Sequence, residues 1–306
     1  MTKVFIDGSA GTTGLRIVER LSQRADLELL ILPDQLRKDP TARADALMSA
    51  EIAFLCLPDD AARESVELAK GSKVRIIDTS TAHRTDPTWA YGMPELSGNR
   101  EKIANSSRIA NPGCHASGFI ALIAPLVEKG LLPRDAQLSC FSLTGYSGGG
   151  KKMIAQYEDA ARPDLYDAPR QYALGQTHKH LPEMAAICGI EAAPIFCPIV
   201  GDFYSGMEVT VPLFASQVKG SLEDIRSLYK SYYTQGLIHF EEADQDGLLS
   251  ACAYSGRDDM GVSVFGNEDR IILTARFDNL GKGASGAAIQ NMNILLGLPE
   301  ETGLSV

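Results

Sequence analysis

Long apolar runs are absent from this 306-residue sequence, and their absence excludes the usual membrane-spanning helix. A helix that crosses a bilayer needs about 20 consecutive apolar residues, and no stretch of this kind occurs. The first residues also lack the basic start and apolar run that a secretory signal requires. We therefore expect a cytoplasmic protein that binds no membrane.

Positive charge is scarce as well. The sequence has 29 Lys and Arg residues against 39 Asp and Glu residues, which gives a formal net charge of -10. A general nucleic-acid binder needs a basic face, so this composition argues against a nucleic-acid partner. A small anionic ligand remains compatible with it, because a local cationic pocket can lie on an acidic protein.

Metal and disulfide signatures are missing too. The six cysteines form neither a CxxC pair nor a clustered Cys/His spacing, so we predict reduced thiols and no metal site. Five of them lie in apolar or strand-like stretches without a motif, and we predict that these five are small buried hydrophobic residues. They are Cys56, Cys140, Cys188, Cys197 and Cys252.

Strand-like and helical patterns alternate in the first third of the chain. The continuous apolar runs "KVFIDG", "LELLIL", "IAFLCLP" and "KVRIIDTS" are typical of parallel strands that are covered on both faces. A helix is predicted to begin with Asp39 as its N-cap and Pro40 at its first position. This order predicts an α/β domain with a doubly wound parallel sheet, in which "RIA" at 108–110 is the fifth strand.

After residue 114 the pattern changes. The strand-like segments are now "AQLSCFSLTG", "APIFCPIV", "GMEVTVPLF", "MGVSVFGN" and "RIILTARFD", and long connections separate them. One amphipathic helix, "SLEDIRSLYKSYYTQG", lies between them. We therefore predict a second, α+β domain with a mixed or antiparallel sheet. The final helical segment, "GASGAAIQNMNILLG", could return to the first domain.

The first predicted strand leads directly into a glycine-rich turn, "DGSAGTTG". Gly8, Gly11 and Gly14 form a variant of the G-x-G-x-x-G pattern, in which a tight turn and a helix N-terminus bind a pyrophosphate. The other possibility is a glycine-rich turn without a ligand. The strand-to-helix context favours a nucleotide site. The predicted cofactor-binding residues of this turn are Gly8, Ser9, Gly11, Thr12, Thr13 and Gly14.

The choice between NAD and NADP stays open at this point. Asp34 lies about 20 residues beyond the glycines, where a carboxylate can bind the ribose hydroxyl of NAD. Arg37 and Lys38 follow it, and cations at this place can hold the extra phosphate of NADP. The two cations can equally belong to a solvated loop.

Cys114 differs from the other cysteines because it follows a forced bend in "NPGCHASGF". It is predicted to begin a helix, where the helix dipole and unbonded amides favour a thiolate. A strand ends just before the bend, and open α/β sheets bind ligands at such strand ends. Cys114 is therefore a candidate nucleophile for an aldehyde or an activated acyl group, with an inert thiol as the alternative.

Three further segments carry polar groups that this chemistry needs. "THKHLPEM" offers His178 and His180 for proton transfer, with Glu183 three residues beyond. "DTSTAHRT" and "TGYSGGGKKM" follow predicted strands and could bind phosphate or carboxylate. The alternatives are surface loops with incidental polar residues, or a hinge between domains. The anion-binding candidates in the last two segments are Ser80, Arg84, Ser147 and Lys151.

These motifs, together with "YGMPEL" and "GKGASGAAIQNMN", occur in the same order as in the N-acetyl-γ-glutamyl-phosphate reductases, and the sequence resembles that family. Its length is similar to that of the shorter form of the family. The resemblance implies NADPH-dependent reduction of N-acetyl-γ-glutamyl phosphate to N-acetylglutamate semialdehyde in arginine biosynthesis. It implies an NADP-binding domain of residues 1–113 with 284–306, and a catalytic and dimerisation domain of residues 114–283. A homodimer or homotetramer is expected.

The same resemblance assigns roles to individual residues. It implies that Cys114 forms a thioester and that one histidine, His180 rather than His178, supplies the acid/base. It assigns Asn291, with Arg37 and Lys38, to the cofactor. The implied substrate-binding residues are Ser80, Arg84, Ser147, Lys151 and Glu183.

One position departs from the longer form of the family, which usually has an aromatic residue directly after the cysteine. Here His115 stands there, either as a local proton carrier or as a side chain of the first helical turn. Two other functions remain possible at this stage. They are another acyl-phosphate reductase, such as aspartate semialdehyde dehydrogenase, and a nucleotide-binding sensor without enzymatic activity.

Overall fold

The chain divides into two compact units in a computed structural model, which describes residues 1–242 and 247–306. Unit 1 comprises Met1–Pro112 and Ala284–Leu304, and unit 2 comprises Gly113–Gly283 and Ser305–Val306. Within those described ranges, no helix combines the length and the apolar character that crossing a membrane requires.

Unit 1 contains one six-stranded sheet in which every pair of neighbouring strands is parallel. Its strands are β1 (Thr2–Asp7), β2 (Leu27–Leu30), β3 (Ile52–Leu55), β4 (Arg75–Asp78), β5 (Ala90–Tyr91) and β6 (Arg108–Ala110). Its first four helices are α1 (Thr12–Leu21), α2 (Pro40–Ser49), α3 (Asp59–Leu68) and α4 (Asn99–Asn105). The strand order β2-β1-β3-β4-β6-β5 confirms the predicted parallel α/β sheet.

The strand at the edge of that sheet, β5, was not predicted. "RIA" is the sixth strand of the chain, although it occupies the fifth position in the sheet, because the two-residue strand β5 pairs with β6 at the edge. A strand of two residues carries no hydrophobic period, so the pattern could not indicate it.

The central strands of unit 1 supply two separate cores. Val4 and Ile6 pack into one cluster with helix residues such as Ile17, whereas Phe5 lies between them and packs into the other with Leu47. Because successive side chains of a strand point to opposite faces, both faces of this sheet are covered. This explains the continuous apolar runs in the sequence.

Unit 2 contains one mixed, seven-stranded sheet. Its strands are β7 (Ser139–Gly145), β8 (Arg170–Gln171), β9 (Ile195–Gly201), β10 (Met207–Phe214), β11 (Ile238–Phe240), β12 (Met260–Gly266) and β13 (Arg270–Phe277). Its helices are α5 (Cys114–Glu128), α6 (Gly150–Glu158), α7 (Leu181–Cys188) and α8 (Leu222–Tyr232). The order is β11-β12-β13-β10-β7-β9-β8, with parallel β7/β9 and β11/β12 pairs, which confirms the predicted mixed sheet.

The helix at the end of the chain, α9 (Gly286–Leu296), belongs to unit 1. Ala288, Ile289 and Met292 of this helix lie in the same core cluster as Val4 and Ile6. The segment "GASGAAIQNMNILLG" therefore returns to the first unit, where its apolar residues complete the cover of one sheet face.

Helix α5 is buried almost throughout, because every residue from His115 to Leu126 lies in the interior. Gly118 lets the helix approach the sheet closely, since a Cβ there would come within 2.5 Å of Val209 on β10. Pro125 has no N–H to donate to the Ala121 carbonyl one turn earlier. The hydroxyl of Tyr233, just after α8, donates to that carbonyl instead at 2.6 Å.

The opposite face of the unit 2 sheet leaves apolar side chains exposed. In β10 the residues alternate between buried positions, such as Val211, and exposed ones, such as Phe214. Neighbouring strands add exposed Phe141, Ile195 and Ile272. One face of this sheet is thus covered by α5 and α8, and the other presents apolar area.

Beside the edge strand β11, Glu241 accepts hydrogen bonds from the hydroxyl of Tyr254 and from the guanidinium of Arg276. Burial alone would raise the pKa of the Glu241 carboxyl. Hydrogen bonds from His239, Tyr254 and Arg276 outweigh burial and lower this pKa to about 2. The carboxylate is therefore ionised in the folded protein down to strongly acidic pH.

Candidate active site

Cys114 is the first residue of α5, as the bend before it predicted. Gly113 is the N-cap in an extended conformation, and its N–H donates to the buried carboxylate of Glu183 at 2.9 Å. The side chain of Cys114 is partly exposed, while the helix that carries it is buried. A thiol at this position lies where the amides of the first helical turn favour negative charge.

The environments of other cysteines argue against a nucleophilic role for them. Burial raises the pKa of the Cys56 thiol to about 12, and burial also raises the pKa values of Cys140 and Cys188 far above the ordinary range. A thiol of this kind forms too little thiolate at neutral pH to act as a nucleophile. The prediction of a buried side chain is confirmed for Cys140 and Cys188. It was wrong for Cys252, which is exposed on a turn after residue 250, and Cys56 and Cys197 are only partly buried.

Gly283 lies directly beside the nucleophile candidate. A Cβ at this position would come within 3.0 Å of the Cys114 Cβ and within 3.2 Å of the Asp278 carbonyl oxygen. Glycine therefore provides the space that the Cys114 side chain occupies. Gly283 lies in the motif "GKGASGAAIQNMN", but no local pattern singles it out among the 28 glycines of the chain.

Three histidines form a cluster in unit 2. The ring centroids of His178 and His180 are 4.7 Å apart, and they lie 5.6 and 5.7 Å from the ring of His115. The Nδ1 atom of His178 accepts the backbone N–H of His180 at 3.2 Å, so Nε2 is the nitrogen of this ring that is available to carry a proton. The structure thus brings both predicted acid/base candidates together with His115.

The ring of His115 is buried and held from both sides. Its Nδ1 atom lies 2.7 Å from the Ser142 hydroxyl, and its Nε2 atom lies 2.7 Å from the Tyr172 hydroxyl. Burial, followed by the nearby charge of His178, lowers the pKa of His115 to about 3, so this ring is neutral near pH 7. Tyr172 was not predicted, because a lone tyrosine before "THKH" carries no motif.

The remaining predicted site residues of unit 2 lie in different surroundings. Glu183 is buried and accepts the Gly113 N–H, so its carboxylate helps to fix the start of α5. Ser147 is also buried, and its hydroxyl accepts a hydrogen bond from Asn279 Nδ2 at 3.0 Å. Lys151 is exposed in the first turn of α6.

The glycine-rich turn of unit 1 has the shape that a pyrophosphate requires. Gly8 has a φ of 86°, a conformation that favours glycine. A Cβ on Gly14 would press against the turn, at 3.0 Å from Ser9 Cα. No side chain caps the start of α1 at Gly11, and the first amides of a helix have no carbonyl partner within the helix itself. A dinucleotide phosphate fits this cradle.

A buried ion pair fixes the residue that precedes the glycine-rich turn. The Asp7 carboxylate, at the end of β1, accepts hydrogen bonds from Arg43 Nε at 3.2 Å and from the Ser65 hydroxyl at 2.7 Å. Because Arg43 comes from α2 and Ser65 from α3, three elements are fixed at the residue that precedes Gly8. Asp7 and Arg43 thereby satisfy each other's charge in the interior.

The two cations after β2 differ in their partners. Arg37 Nη2 lies 2.6 Å from Asp34 Oδ1, so the carboxylate that favoured NAD forms an ion pair with a cation that favoured NADP. Lys38 is exposed.

In α9, Asn291 is fully buried, and its Nδ2 donates to the Gly92 carbonyl at 2.9 Å. Its Oδ1 has no hydrogen-bond partner among the described residues.

The loop after β4 is organised by its own polar groups. The buried Asp78 carboxylate accepts hydrogen bonds from the Ser80 amide and hydroxyl at 2.9 and 2.8 Å, and it lies 2.6 Å from His83 Nδ1. The Arg84 guanidinium donates to the carbonyls of Thr79 and Asn111, both at 2.9 Å. Ser80 and Arg84 therefore hold this loop against the end of β6, and their substrate role stays a prediction.

No group of three or more His, Cys, Asp or Glu side chains in residues 1–242 and 247–306 could hold a metal ion. The described polar clusters instead offer hydrogen-bond donors and acceptors, and α5 begins with a partly exposed thiol. This donor set suits acyl transfer to sulfur and the binding of anionic groups.

Comparison with known proteins finds one family model in each of the two units. The family description "Semialdehyde dehydrogenase, NAD binding domain" matches residues 3–106, and "Semialdehyde dehydrogenase, dimerisation domain" matches residues 114–279. Solved structures of aspartate semialdehyde dehydrogenase share the fold. That of Vibrio cholerae, in complex with ASA, has a TM-score of 0.73 at 17% identity and covers 97% of this chain and 98% of its own. The structure from Candida albicans, with NADP, has a TM-score of 0.68 at 16% identity. It covers 97% of this chain and 99% of its own.

Curated relatives are much more similar in sequence. The N-acetyl-γ-glutamyl-phosphate reductases of Brucella ovis and Brucella suis are each 48% identical to this chain, over 96% of its length and 99% of theirs. The resemblance that the motifs carried is therefore confirmed over nearly the whole sequence. This chain belongs to the N-acetyl-γ-glutamyl-phosphate reductases, within the semialdehyde dehydrogenase family.

Proposed function

We propose that the protein reduces N-acetyl-γ-glutamyl phosphate to N-acetylglutamate semialdehyde and phosphate, with NADPH as the reductant, in arginine biosynthesis. The observation that carries the proposal is the placement of Cys114 at the start of a buried helix, in the unit that also holds the histidine cluster. The names of relatives at 48% identity supply the substrate. The fold neighbours, at under a fifth identity, do not discriminate between substrates.

In the first proposed step, the Cys114 thiolate attacks the carbonyl carbon of the acyl phosphate. The C–S bond forms, the bond to the phosphate oxygen breaks, and phosphate leaves with the electron pair. Amides of the first turn of α5 stabilise the oxyanion that develops on the carbonyl oxygen. The product of this step is a thioester on Cys114.

When bound, the nicotinamide cofactor supplies the hydride that reduces the thioester carbonyl. His180 donates a proton to the resulting oxyanion and takes it back as the C–S bond breaks, so that aldehyde is released and the thiolate is restored. His178, whose Nδ1 is engaged by the His180 N–H, offers Nε2–H to the substrate. Both rings are held in the same cluster, as paired acid/base and orienting groups require.

Within unit 1, the glycine-rich turn and the start of α1 are the proposed pyrophosphate site. Arg37 and Lys38 are proposed to hold the 2'-phosphate of NADP, with the Asp34 carboxylate neutralised by Arg37. Asn291 is proposed to accept a hydrogen bond from the carboxamide of the cofactor through its buried Oδ1. An unpaired buried amide oxygen is costly unless a ligand satisfies it.

A Cys114→Ser variant tests the nucleophile directly. We expect turnover of N-acetyl-γ-glutamyl phosphate to fall by more than about a thousandfold, because a hydroxyl at this position has no base strong enough to replace the thiolate. Cys252→Ser, at the exposed cysteine outside the site, is the matched control and should keep full turnover. Near-normal turnover by the Cys114 variant would exclude the mechanism.

Substrate choice separates this function from its nearest alternative. We expect kcat/KM for N-acetyl-γ-glutamyl phosphate to exceed that for β-aspartyl phosphate by at least about a hundredfold. A preference for the aspartyl substrate would identify an aspartate semialdehyde dehydrogenase. Absence of reduction with both substrates, together with NADPH binding, would leave the nucleotide-binding sensor as the function.

We further propose that the protein acts in the cytoplasm as a homodimer, or as a homotetramer built from two such dimers. The six cysteines are all thiols, as expected in a reducing compartment. The uncovered apolar face of the unit 2 sheet, with Phe141 and Phe214, is the proposed interface between copies. Sedimentation velocity would measure the assembly, and Phe141→Asp should shift it towards the monomer.

A further inference from the structure

His115 is the residue of this site whose role neither the sequence nor the family resemblance explains. Its ring is 3% exposed and is hydrogen-bonded at both nitrogen atoms, to Ser142 on one side and Tyr172 on the other. Three titratable side chains face it, namely His178, His180 and Tyr172. A buried side chain with this many fixed contacts is not an incidental member of a first helical turn.

The neutral state of the ring decides what it can do. A neutral imidazole has one donor nitrogen and one acceptor nitrogen. If Nδ1 accepts the Ser142 hydroxyl proton, then Nε2–H donates to the Tyr172 oxygen, and the hydrogen of the Tyr172 hydroxyl is directed to another acceptor. Proton transfer by His115 itself is disfavoured near pH 7, because its pKa of about 3 leaves the protonated form scarcely populated.

The segment that carries Tyr172 is held in a strained conformation. Ala173 and Gln176 have φ values of 52° and 55°, in the left-handed region that residues with a Cβ rarely adopt. The Gln176 side chain bonds both backbone groups of Phe196 on β9, at 2.7 and 2.8 Å. Such strain persists only where the surroundings fix it, and it is concentrated at functional sites.

Tyr172 also lies within electrostatic reach of Cys114. Burial raises the pKa of the Tyr172 hydroxyl, and negative charge on the Cys114 sulfur raises it further. The phenol therefore keeps its hydrogen throughout the pH range of the enzyme. Its oxygen is held 2.7 Å from the ring of His115, the residue that follows Cys114. A protonated phenol in this cluster can donate a hydrogen bond to the thiolate or to the oxyanion that forms on the acyl carbon attached to it.

We propose that Tyr172 is a further catalytic residue, which donates a hydrogen bond to the group reacting at Cys114, and that His115 is the positioning residue that orients its hydroxyl. The donation to a reacting acyl group rests on the proposed function. The donation to the thiolate does not, because it needs no substrate.

The first test measures the pH dependence of Cys114 alkylation by iodoacetamide, followed by mass spectrometry of the Cys114 peptide in a Cys252→Ser background. We expect Tyr172→Phe and His115→Phe each to shift the midpoint upward by about one pH unit, since one hydrogen bond to the thiolate is lost. His115→Gln, whose Nε2–H can still donate to Tyr172, should recover part of this shift. An unchanged midpoint in Tyr172→Phe overturns the proposal.

The second test uses steady-state kinetics and a double-mutant cycle. Tyr172→Phe should lower kcat about tenfold with KM changed less than about twofold, and the double variant with His115→Phe should be no worse than either single variant. Additive losses overturn the positioning role of His115. If His115→Phe does not fold, Ser142→Ala, which releases the other end of the same ring, replaces it and should give a smaller shift of the same sign.

The two tests separate this inference from the proposed function. Alkylation needs no acyl phosphate, so a shifted midpoint in an enzyme that fails to reduce N-acetyl-γ-glutamyl phosphate would refute the function and retain the thiolate contact. Reduction by the wild type with unchanged midpoints in the variants would refute the inference alone.

Discussion

Gly283 offers a sharp test of how closely the site is packed around the nucleophile. In Gly283→Ala, the new Cβ would lie 3.0 Å from the Cys114 Cβ, whereas two carbon atoms prefer about 3.5–4.0 Å. The neighbouring Asp278 carbonyl, at 3.2 Å, and Phe277 Cε2, at 3.3 Å, leave little room on the other sides. Relief of the clash therefore requires Cys114 to move by roughly half an ångström.

Displacements of this size affect turnover more than stability. A misplacement of about 1 Å can cost roughly a hundredfold in rate, so we expect kcat/KM to fall about tenfold in Gly283→Ala. Overpacking of this kind typically costs about 1–3 kcal/mol of folding free energy, so the protein should remain folded. The measurements are steady-state reduction of the acyl phosphate and urea unfolding of the same preparation.

A matched control keeps the chemistry of the substitution and removes the clash. In Gly175→Ala, the new Cβ would meet only Thr177 Oγ1, at 3.9 Å, so activity and stability should stay close to wild type. Wild-type kcat/KM in Gly283→Ala would show that the Cys114 side chain does not depend on this space, and the argument from packing would be refuted.

Three other predictions concern the cofactor and stability. Arg37→Ala should raise KM for NADPH about tenfold and leave KM for NADH unchanged; an equal rise for both would remove Arg37 from the 2'-phosphate site. Asp39 accepts the Ala42 N–H at 2.7 Å as the N-cap of α2, so Asp39→Ala should cost about 1 kcal/mol in urea unfolding without loss of turnover. The folded pKa of Glu241 is lowered to about 2, so its contribution to stability is present above its unfolded pKa and is lost as pH falls towards 2. Glu241→Gln should therefore flatten the fall in urea midpoint between pH 5 and pH 2, and an unchanged slope would contradict the assignment.

The parts of the fold that the sequence predicted are those in which local pattern and burial agree. In unit 1 each long strand is mainly apolar, because its two faces meet two cores, and the start of α2 is signalled by two adjacent residues, Asp39 and Pro40. Strands β5, β8 and β11 and helices α4, α6 and α7 were not predicted. Strand β5 consists of only two residues, and α6 and α7 begin in segments rich in Gly, Lys and His that indicate a loop.

The sequence predicted those site residues that stand out through their neighbours or through the rarity of their type. Cys114 follows a bend that only a helix start explains, and His178 and His180 stand out because histidine is rare in this chain. Tyr172 and Gly283 could not be singled out, because their roles depend on contacts with residues more than 50 positions away. Such contacts are fixed by the tertiary fold and leave no local pattern.

Because α5 is buried, the placement of the Cys114 thiol depends on the folding of unit 2 as a whole. A helix whose residues from His115 to Leu126 are all interior can open only when the surrounding sheet and helices separate. Hydrogen exchange at the amides of this helix should therefore report global unfolding of the unit, while exposed loops exchange by local opening. The nucleophile then has no partly unfolded state of its own, and a preparation that retains the unit 2 core retains a correctly placed thiol.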